Sequence, residues 1–351
     1  MSARRPPRIG PRTALAATAA VGGVAAAVAL QRRHLHTIED DPDFVALTAP
    51  LGGRPLTIVS ADGTELHAET FGAEGDPTIV LAHGWTEQLS FWGPVIRRLV
   101  DRGLRPVAYD LRGHGRSAPA AERDYSLERF GEDVAAVLAA VLPDGERATV
   151  AGHSLGAMSI AAWARDHDVE ARLGAAALLN TGFGDLASGH LLFGAGAVAK
   201  WISHPWASRA VLGSHAPVPA FSTPAQESLI RHIAFGPDAT PGQVAFYERM
   251  LVATPPDVRA AVGVVLSKMD LWDAVARLTV PTLVIAGADD RLTPPAQARR
   301  IAEELPRLAG LIELPDTGHM SPIERPREVS LALARLVNEP AAVAAGSGEG
   351  R

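Results

Sequence analysis

Apolar residues along this chain fall into short runs bounded by turn residues, and these runs alternate with stretches of helical spacing. Thr78-Ile-Val-Leu-Ala-His83, Arg105-Pro-Val-Ala-Tyr-Asp110, Ala148-Thr-Val-Ala-Gly152, Ala175-Ala-Ala-Leu-Leu-Asn180, Pro281-Thr-Leu-Val-Ile-Ala-Gly287 and Gly310-Leu-Ile-Glu-Leu314 read as strands, most of them apolar on both faces. Leu56–Ser60 and Glu65–Phe71, separated by Ala61-Asp62-Gly63, predict a hairpin. Between the strands, Phe91–Leu104, Ser126–Val141, Leu155–Ala164 and Arg327–Val337 read as helices. In the second of these, Ser126 sits at the N-cap and Phe130, Val134, Val137 and Leu138 share one face. Eight strands alternating with helices predict an α/β fold: a mostly parallel sheet covered on both faces.

The pattern lapses in three places, and these set the boundaries. Residues 1–54 form a basic and apolar leader with a connector. Residues 55–181 and 271–337 form the α/β core. Residues 182–270 lack buried strands, hold Phe193, Trp201, Trp206, Phe221, Phe235, Phe246 and Tyr247, and are too long for a loop, so they read as an inserted helical cap. Residues 338–351, rich in Ala, Gly and Glu, read as a disordered tail.

The leader carries Arg4, Arg5, Arg8 and Arg12, then no charge from Thr13 to Gln31, then Arg32 and Arg33. This pattern predicts export or a membrane anchor, with possible membrane association through residues 13–31. Ala27-Val28-Ala29 fits a cleavage site, while the arginine pair behind it fits a retained anchor. A cytoplasmic enzyme with a disordered Ala-rich leader is the alternative.

Of the 351 residues, 47% are hydrophobic and 21% charged, enough for a sizeable core. The net charge of −6 comes without a basic stripe in the folded part, which argues against nucleic acid as a partner. No cysteine is present, so disulfides, thiolate catalysis and cysteine metal sites are excluded. No H-E-x-x-H, Walker loop or dinucleotide fingerprint occurs, and neither a metal nor a cofactor is implied.

Gly152-His153-Ser154-Leu155-Gly156 lies directly between a buried strand and a helix. A G-x-S-x-G sequence there predicts a sharp, strained turn that exposes a nucleophilic serine, Ser154, at a helix N-terminus. A plain helix N-cap is the competing reading. His319, in Asp316-Thr-Gly-His-Met, follows the last strand, and Gly287-Ala-Asp-Asp-Arg-Leu-Thr-Pro294 follows the strand before it.

With these motifs in this order, the chain from about Leu56 to Val337 resembles the α/β-hydrolase family, in its capped serine esterase, lipase or perhydrolase-like branch. The resemblance implies Ser154 as nucleophile, His319 as base and Asp290 as the acid that orients it, with Asp289 and Asp185 as the other acid candidates. It implies an oxyanion hole from the backbone N–H groups of Trp85, after His83-Gly84, and Leu155. Tyr109-Asp-Leu-Arg-Gly-His-Gly-Arg-Ser117 also matches a family loop; Asp110 and Arg112 are expected to brace it and His114 to be exposed. His83 and His153 read as packing residues, and His204, His215 and His232 as cap surface. The implied activity is cleavage of small or apolar carboxylic esters through an acyl-enzyme. A cofactor-free perhydrolase or haloperoxidase-like enzyme, or a carbon–carbon bond hydrolase, shares the triad, and a catalytically silent binding protein shares the fold. Serine at position 154 excludes the relatives that open epoxides or remove halogens with an aspartate there.

Overall fold

A computed structural model describes residues 26–184 and 212–339. Its centre is one eight-stranded sheet in the order β1-β2-β4-β3-β5-β6-β7-β8. The strands are β1 (Arg54–Val59), β2 (Glu65–Thr70), β3 (Thr78–Ala82), β4 (Arg105–Tyr109), β5 (Ala148–His153), β6 (Leu173–Leu179), β7 (Thr282–Gly287) and β8 (Leu308–Leu314). Hairpin β1–β2 and the pair β2–β4 are antiparallel; every other pairing is parallel. The apolar runs predicted this outcome. All six residues of β5 and of β7 are buried, which only a sheet covered on both faces can supply.

Two apolar clusters fill the two sides of the sheet. On one side lie α4 (Leu127–Val141) and α5 (Leu155–Asp166), packed on each other. The predicted α4 stripe, Phe130, Val134, Val137 and Leu138, is buried as one face. Each such side chain contributes about 1.5–3 kcal/mol on burial. On the other side α3 (Gly93–Val100) packs against α13 (Pro326–Asn338).

Between β6 and β7 the described chain carries α7 (Pro224–Ala234), α8 (Pro241–Ala253) and α9 (Pro256–Leu266), followed by the short α10 (Trp272–Val275). Thr223 and Thr240 cap the first two helices through their hydroxyls, and Thr240 with Gln243 completes a reciprocal capping box. The remaining short elements are α6 (Val169–Arg172), α11 (Pro295–Glu304) and α12 (Ser321–Glu324).

Several expectations need correction. The connector carries helices that the apolar pattern did not predict: 26–39 are helical (α1), and α2 follows at Pro42–Thr48. Asp41 caps α2 and also accepts from Gly242 N at 2.8 Å, while Phe44 and Leu47 are buried, so this segment is docked on α8. The helix expected over 91–104 is a 3-10 turn at Leu89–Trp92 leading into α3, which ends at Val100. Ser126 does stand at the N-cap of α4, yet its side chain makes no cap bond. Among the described residues no helix is long and apolar enough to cross a membrane. Most of the 13–31 stretch, the 340–351 part of the tail, His204 and the cap aromatics Phe193, Trp201 and Trp206 lie outside the described residues.

Candidate active site

Strand β5 ends at His153, and the chain turns into α5 at once. Ser154 occupies the turn with φ 49° and ψ −114°, a conformation rarely adopted by a side-chain-bearing residue. The neighbouring glycines make it possible. A Cβ on Gly152 would collide with backbone atoms of Gly156 and Ala157, and a Cβ on Gly156 with the carbonyl oxygens of Ala82 and His83. Ser154 is half-buried between fully buried neighbours. Its hydroxyl makes no cap bond to α5, so the plain N-cap reading does not hold.

The strained backbone gathers here. Six non-glycine residues among those described have positive φ, and four of them, Thr86, Ser154, Asn180 and Asp316, lie on the loops at the C-terminal ends of β3, β5, β6 and β8. Strain at one end of one sheet marks a site maintained against local preference.

Asp290 follows β7, and its carboxylate is fully engaged. Oδ1 accepts from Leu292 N and Thr293 N, each at 2.9 Å. Oδ2 accepts from His319 Nδ1 and Thr293 Oγ1 at 2.8 Å and from Asn180 Nδ2 at 3.1 Å. Burial works against the ionised form. The charge and hydrogen bond of His319, with the hydrogen bonds of Thr293 and Asn180, outweigh it and hold the carboxyl below its usual range. Asp289 is partly exposed, and its backbone N–H donates to Thr317 O. Asp185 lies outside the described residues. Asp290 is therefore the carboxylate on His319 among those described.

With Nδ1 bonded to Asp290, His319 keeps Nε2 for other work. Its loop is held from two directions. His319 N donates to Ala234 O at the end of α7, and the buried Glu324 carboxyl collects Gly318 N, Met320 N and Gly236 N. Ser154 Oγ makes no hydrogen bond among the described residues, so the relay is closed between Asp290 and His319 and open at the serine. Side chains at such sites commonly tighten only around substrate.

The Trp85 and Leu155 amides stand at equivalent places. Ala82 of β3 pairs with Gly152 of β5, and each amide lies three residues beyond its member of that pair. Neither donates to an acceptor among the described residues.

Behind the amides lies a feature the sequence did not reveal. Glu87 bonds Gly84 N with one oxygen, and the other lies 2.9 Å from His153 Nδ1. His153 Nε2 faces His319 O at 2.8 Å. Both ring nitrogens thus face acceptors, and the ring serves as a double donor. Burial opposes this, but Glu87, the His319 carbonyl and Asp290 raise the His153 pKa. Glu87, His153, Asn180 and Glu324 were missed because each has a partner tens of positions away, His153 for Glu87, Asp290 for Asn180 and Gly236 for Glu324, which nothing local marks. The Glu after H-G-W-T was the one available signal.

His83 is the neutral packing histidine expected: Nδ1 donates to Gly84 O, Nε2 accepts from Leu111 N, and burial depresses its pKa. Asp110 and Arg112 brace their loop. Asp110 accepts from Leu89 N and Arg116 N; Arg112 forms a two-point bond to Asp133 and reaches Asp62. His114 is a correction. It is fully buried against the His83 ring, and burial pulls its pKa down to about 4. His215 and His232 are exposed, as expected.

Residues 73–325 match the family described as serine aminopeptidase, S33. The chain belongs to this α/β-hydrolase family. The S33-family chain is 27% identical over 279 residues to a non-heme haloperoxidase of Rhodococcus erythropolis, covering 75% of this chain and 92% of the relative. It is similar to the crystal structure of the enol-lactonase of Burkholderia xenovorans LB400, with TM-score 0.63 and 27% identity over 81% of this chain and 100% of that one. A thermophilic esterase from Thermogutta terrifontis shares the fold, with TM-score 0.65 and 22% identity over 82% and 99% of the two chains. The S33-family assignment makes the protein a hydrolase-family chain and leaves its substrate to argument.

Proposed function

We propose that this protein is a serine hydrolase that cleaves carboxylic esters of small or apolar substrates through an acyl-enzyme. The observation that carries this reading is the 2.8 Å bond from His319 Nδ1 to Asp290, on a loop next to the strained turn that presents Ser154. That bond fixes the imidazole tautomer with its proton on Nδ1 and leaves Nε2 a free base.

In the reaction, His319 Nε2 takes the Ser154 proton as Oγ attacks the ester carbonyl. The carbonyl oxygen becomes an oxyanion and is received by the Trp85 and Leu155 amides, each worth about 2.7–4 kcal/mol if lost. His319 then gives its proton to the departing alcohol. A water, deprotonated by the same nitrogen, attacks the acyl carbon, and the acid leaves with Ser154 restored. Asp290 stays ionised throughout and stabilises the imidazolium.

A second reading follows from the Rhodococcus relative: hydrogen peroxide in place of water would release a peracid from the same acyl-enzyme. An acyl chain-length series of p-nitrophenyl esters, run beside peracid formation from acetate and peroxide, separates the two. Ester turnover well above peracid formation supports the esterase reading. Peracid formation without appreciable ester turnover would replace it with the perhydrolase reading.

A further inference from the structure

Glu324 closes the short helix α12, just beyond His319, and its side chain reaches back to the loop that carries the imidazole. Oε1 accepts from Gly318 N and Met320 N, each at 3.1 Å. Oε2 accepts from Gly236 N at 2.8 Å and from Gly318 N at 3.2 Å. One carboxyl therefore holds the amides on both sides of His319 together with an amide of the cap. Glu324 is buried, so water does not stand in for these contacts.

Cap and base loop meet backbone to backbone at this point. His319 N donates at 2.8 Å to Ala234 O, the last residue of α7. A Cβ on Gly318 would lie 2.3 Å from the carbonyl carbon of Phe235, and one on Gly236 would lie 2.6 Å from Asp316 O. No side chain cushions the two segments, so a shift of one is passed to the other.

The same end of the cap also reaches the oxyanion side. The ring of Tyr247, on α8, stands edge-on to Phe235 with centroids 6.1 Å apart. Its hydroxyl lies 2.9 Å from Thr86 Oγ1, and Thr86 Oγ1 donates to Trp85 O at 2.6 Å. A hydroxyl has one hydrogen to give, so Tyr247 is the donor to Thr86. The cap thus touches both loops on which the proposed chemistry depends.

We propose that Glu324 is a positioning residue for the base: its carboxylate fastens the end of α7 to the loop of His319, so that the attachment of the cap and the placement of the imidazole are one contact. This role rests on His319 being the base. The contact needs the ionised carboxyl, because a proton on either oxygen points at an N–H and displaces at least one of the three donors. Burial chiefly, and the Asp290 charge, push the Glu324 pKa up to about 7, so the contact loosens within the range where a histidine base works. The other charges on the elements around it are turned elsewhere. Arg325 bonds Asp238 and Asp316 O, Arg97 and Arg98 of α3 bond backbone carbonyls, and Arg231 of α7 bonds Glu227. Asp316, His232, and Arg327 and Glu328 of α13 are exposed.

The test compares the full chain with Glu324→Gln, which keeps the shape but offers one acceptor where the carboxylate offers two. Turnover of a p-nitrophenyl ester is measured across the pH range, well below both melting temperatures, and divided by the sites that a fluorophosphonate labels to completion. At alkaline pH the variant's kcat per site should fall by about 10–100-fold. KM should stay within about threefold, because His319 serves acylation and deacylation alike. The ratio of parent to variant should shrink as pH falls through about 7, where the parent carboxyl takes up its own proton; the titration of His319 cancels in that ratio. A loss seen only as fewer labelled sites, or a ratio constant with pH, overturns the positioning role. A second measurement needs neither variant nor substrate. In the ¹⁵N-labelled parent, the amide signals of Gly236, Gly318 and Met320 should move together with one midpoint near pH 7. Amides that move separately, or not at all, overturn it as well. Absence of ester turnover in the parent would be a failure of the esterase reading, which the amide signals do not depend on.

Discussion

His153 Nδ1 lies 2.9 Å from Glu87 Oε1, and this buried contact ties two loops of the site together. Glu87 holds Gly84 N, one residue before the proposed oxyanion donor Trp85, and His153 holds the carbonyl of His319. The two groups act as a unit, since each leaves the other buried and unmatched when removed. Glu87→Gln and His153→Gln are expected to cost about 1–3 kcal/mol each in stability. Their double variant should show a coupling of about 0.5–3 kcal/mol in thermal or denaturant unfolding. Strict additivity of the two would mean that the pair is not a unit.

Asp290 and Asp289 are neighbours in sequence but not in environment. Asp290→Asn removes the carboxylate from His319 Nδ1 and favours the wrong tautomer. Its kcat on an ester should fall by about 10⁴-fold. Asp289→Asn, whose side chain does not meet His319, should stay within a few-fold of the parent. Steady-state kinetics of both variants check this, and the reverse ranking would move the acid to position 289.

Gly156 and Gly174 give a paired test of the elbow. Gly156→Ala drives a methyl into the Ala82 and His83 carbonyl oxygens, which cannot swing aside. It should destabilise by at least about 1–3 kcal/mol and abolish ester turnover. Gly174→Ala, with open space around it and ordinary φ, should change stability by less than about 0.5 kcal/mol. Melting temperatures of the two variants provide the comparison.

Glu324 brings a pH dependence. Burial chiefly, and the Asp290 charge, push its pKa up to about 7, from the ordinary 4.5, despite three backbone donors. A carboxyl raised in the folded state holds its proton more tightly there than in the unfolded chain. Its contribution is therefore complete below pH 4.5 and lost as pH rises through about 7. That difference corresponds to about 3 kcal/mol. Glu324→Gln should flatten the fall in stability between those values, measured as the parent-minus-variant difference in unfolding free energy. A difference that is constant across this range would contradict it.

The strands were legible because burial on both faces leaves no alternation to interpret: Thr282–Gly287 and Ala148–His153 are buried throughout and mostly apolar. Ser154 and its turn were legible because a strand, two glycines and a helix are all local. His114 was misread because a histidine between two glycines in a polar loop gives no sign that the His83 ring will meet it edge-on. Arg112 shows the same limit, since its partners Asp62 and Asp133 lie far off in both directions along the chain. Helix α2 was hidden for a different reason. Its signals, Asp41 as N-cap and Pro42 behind it, were present, but the apolar face it buries is covered only once α8 lies beside it. Local chemistry can be read from sequence; contacts made by the finished fold cannot.

The account depends on Ser154 being an activated nucleophile, and covalent trapping tests that most directly. The full chain is treated with a fluorophosphonate, and the adduct is located by peptide mass mapping, beside Ser154→Ala and His319→Ala. One adduct per chain is expected at Ser154. It should be absent in Ser154→Ala, whose melting temperature stays near that of the parent, and slowed by orders of magnitude in His319→Ala. A folded parent protein that takes up no label, or that is labelled equally fast without His319, would contradict it.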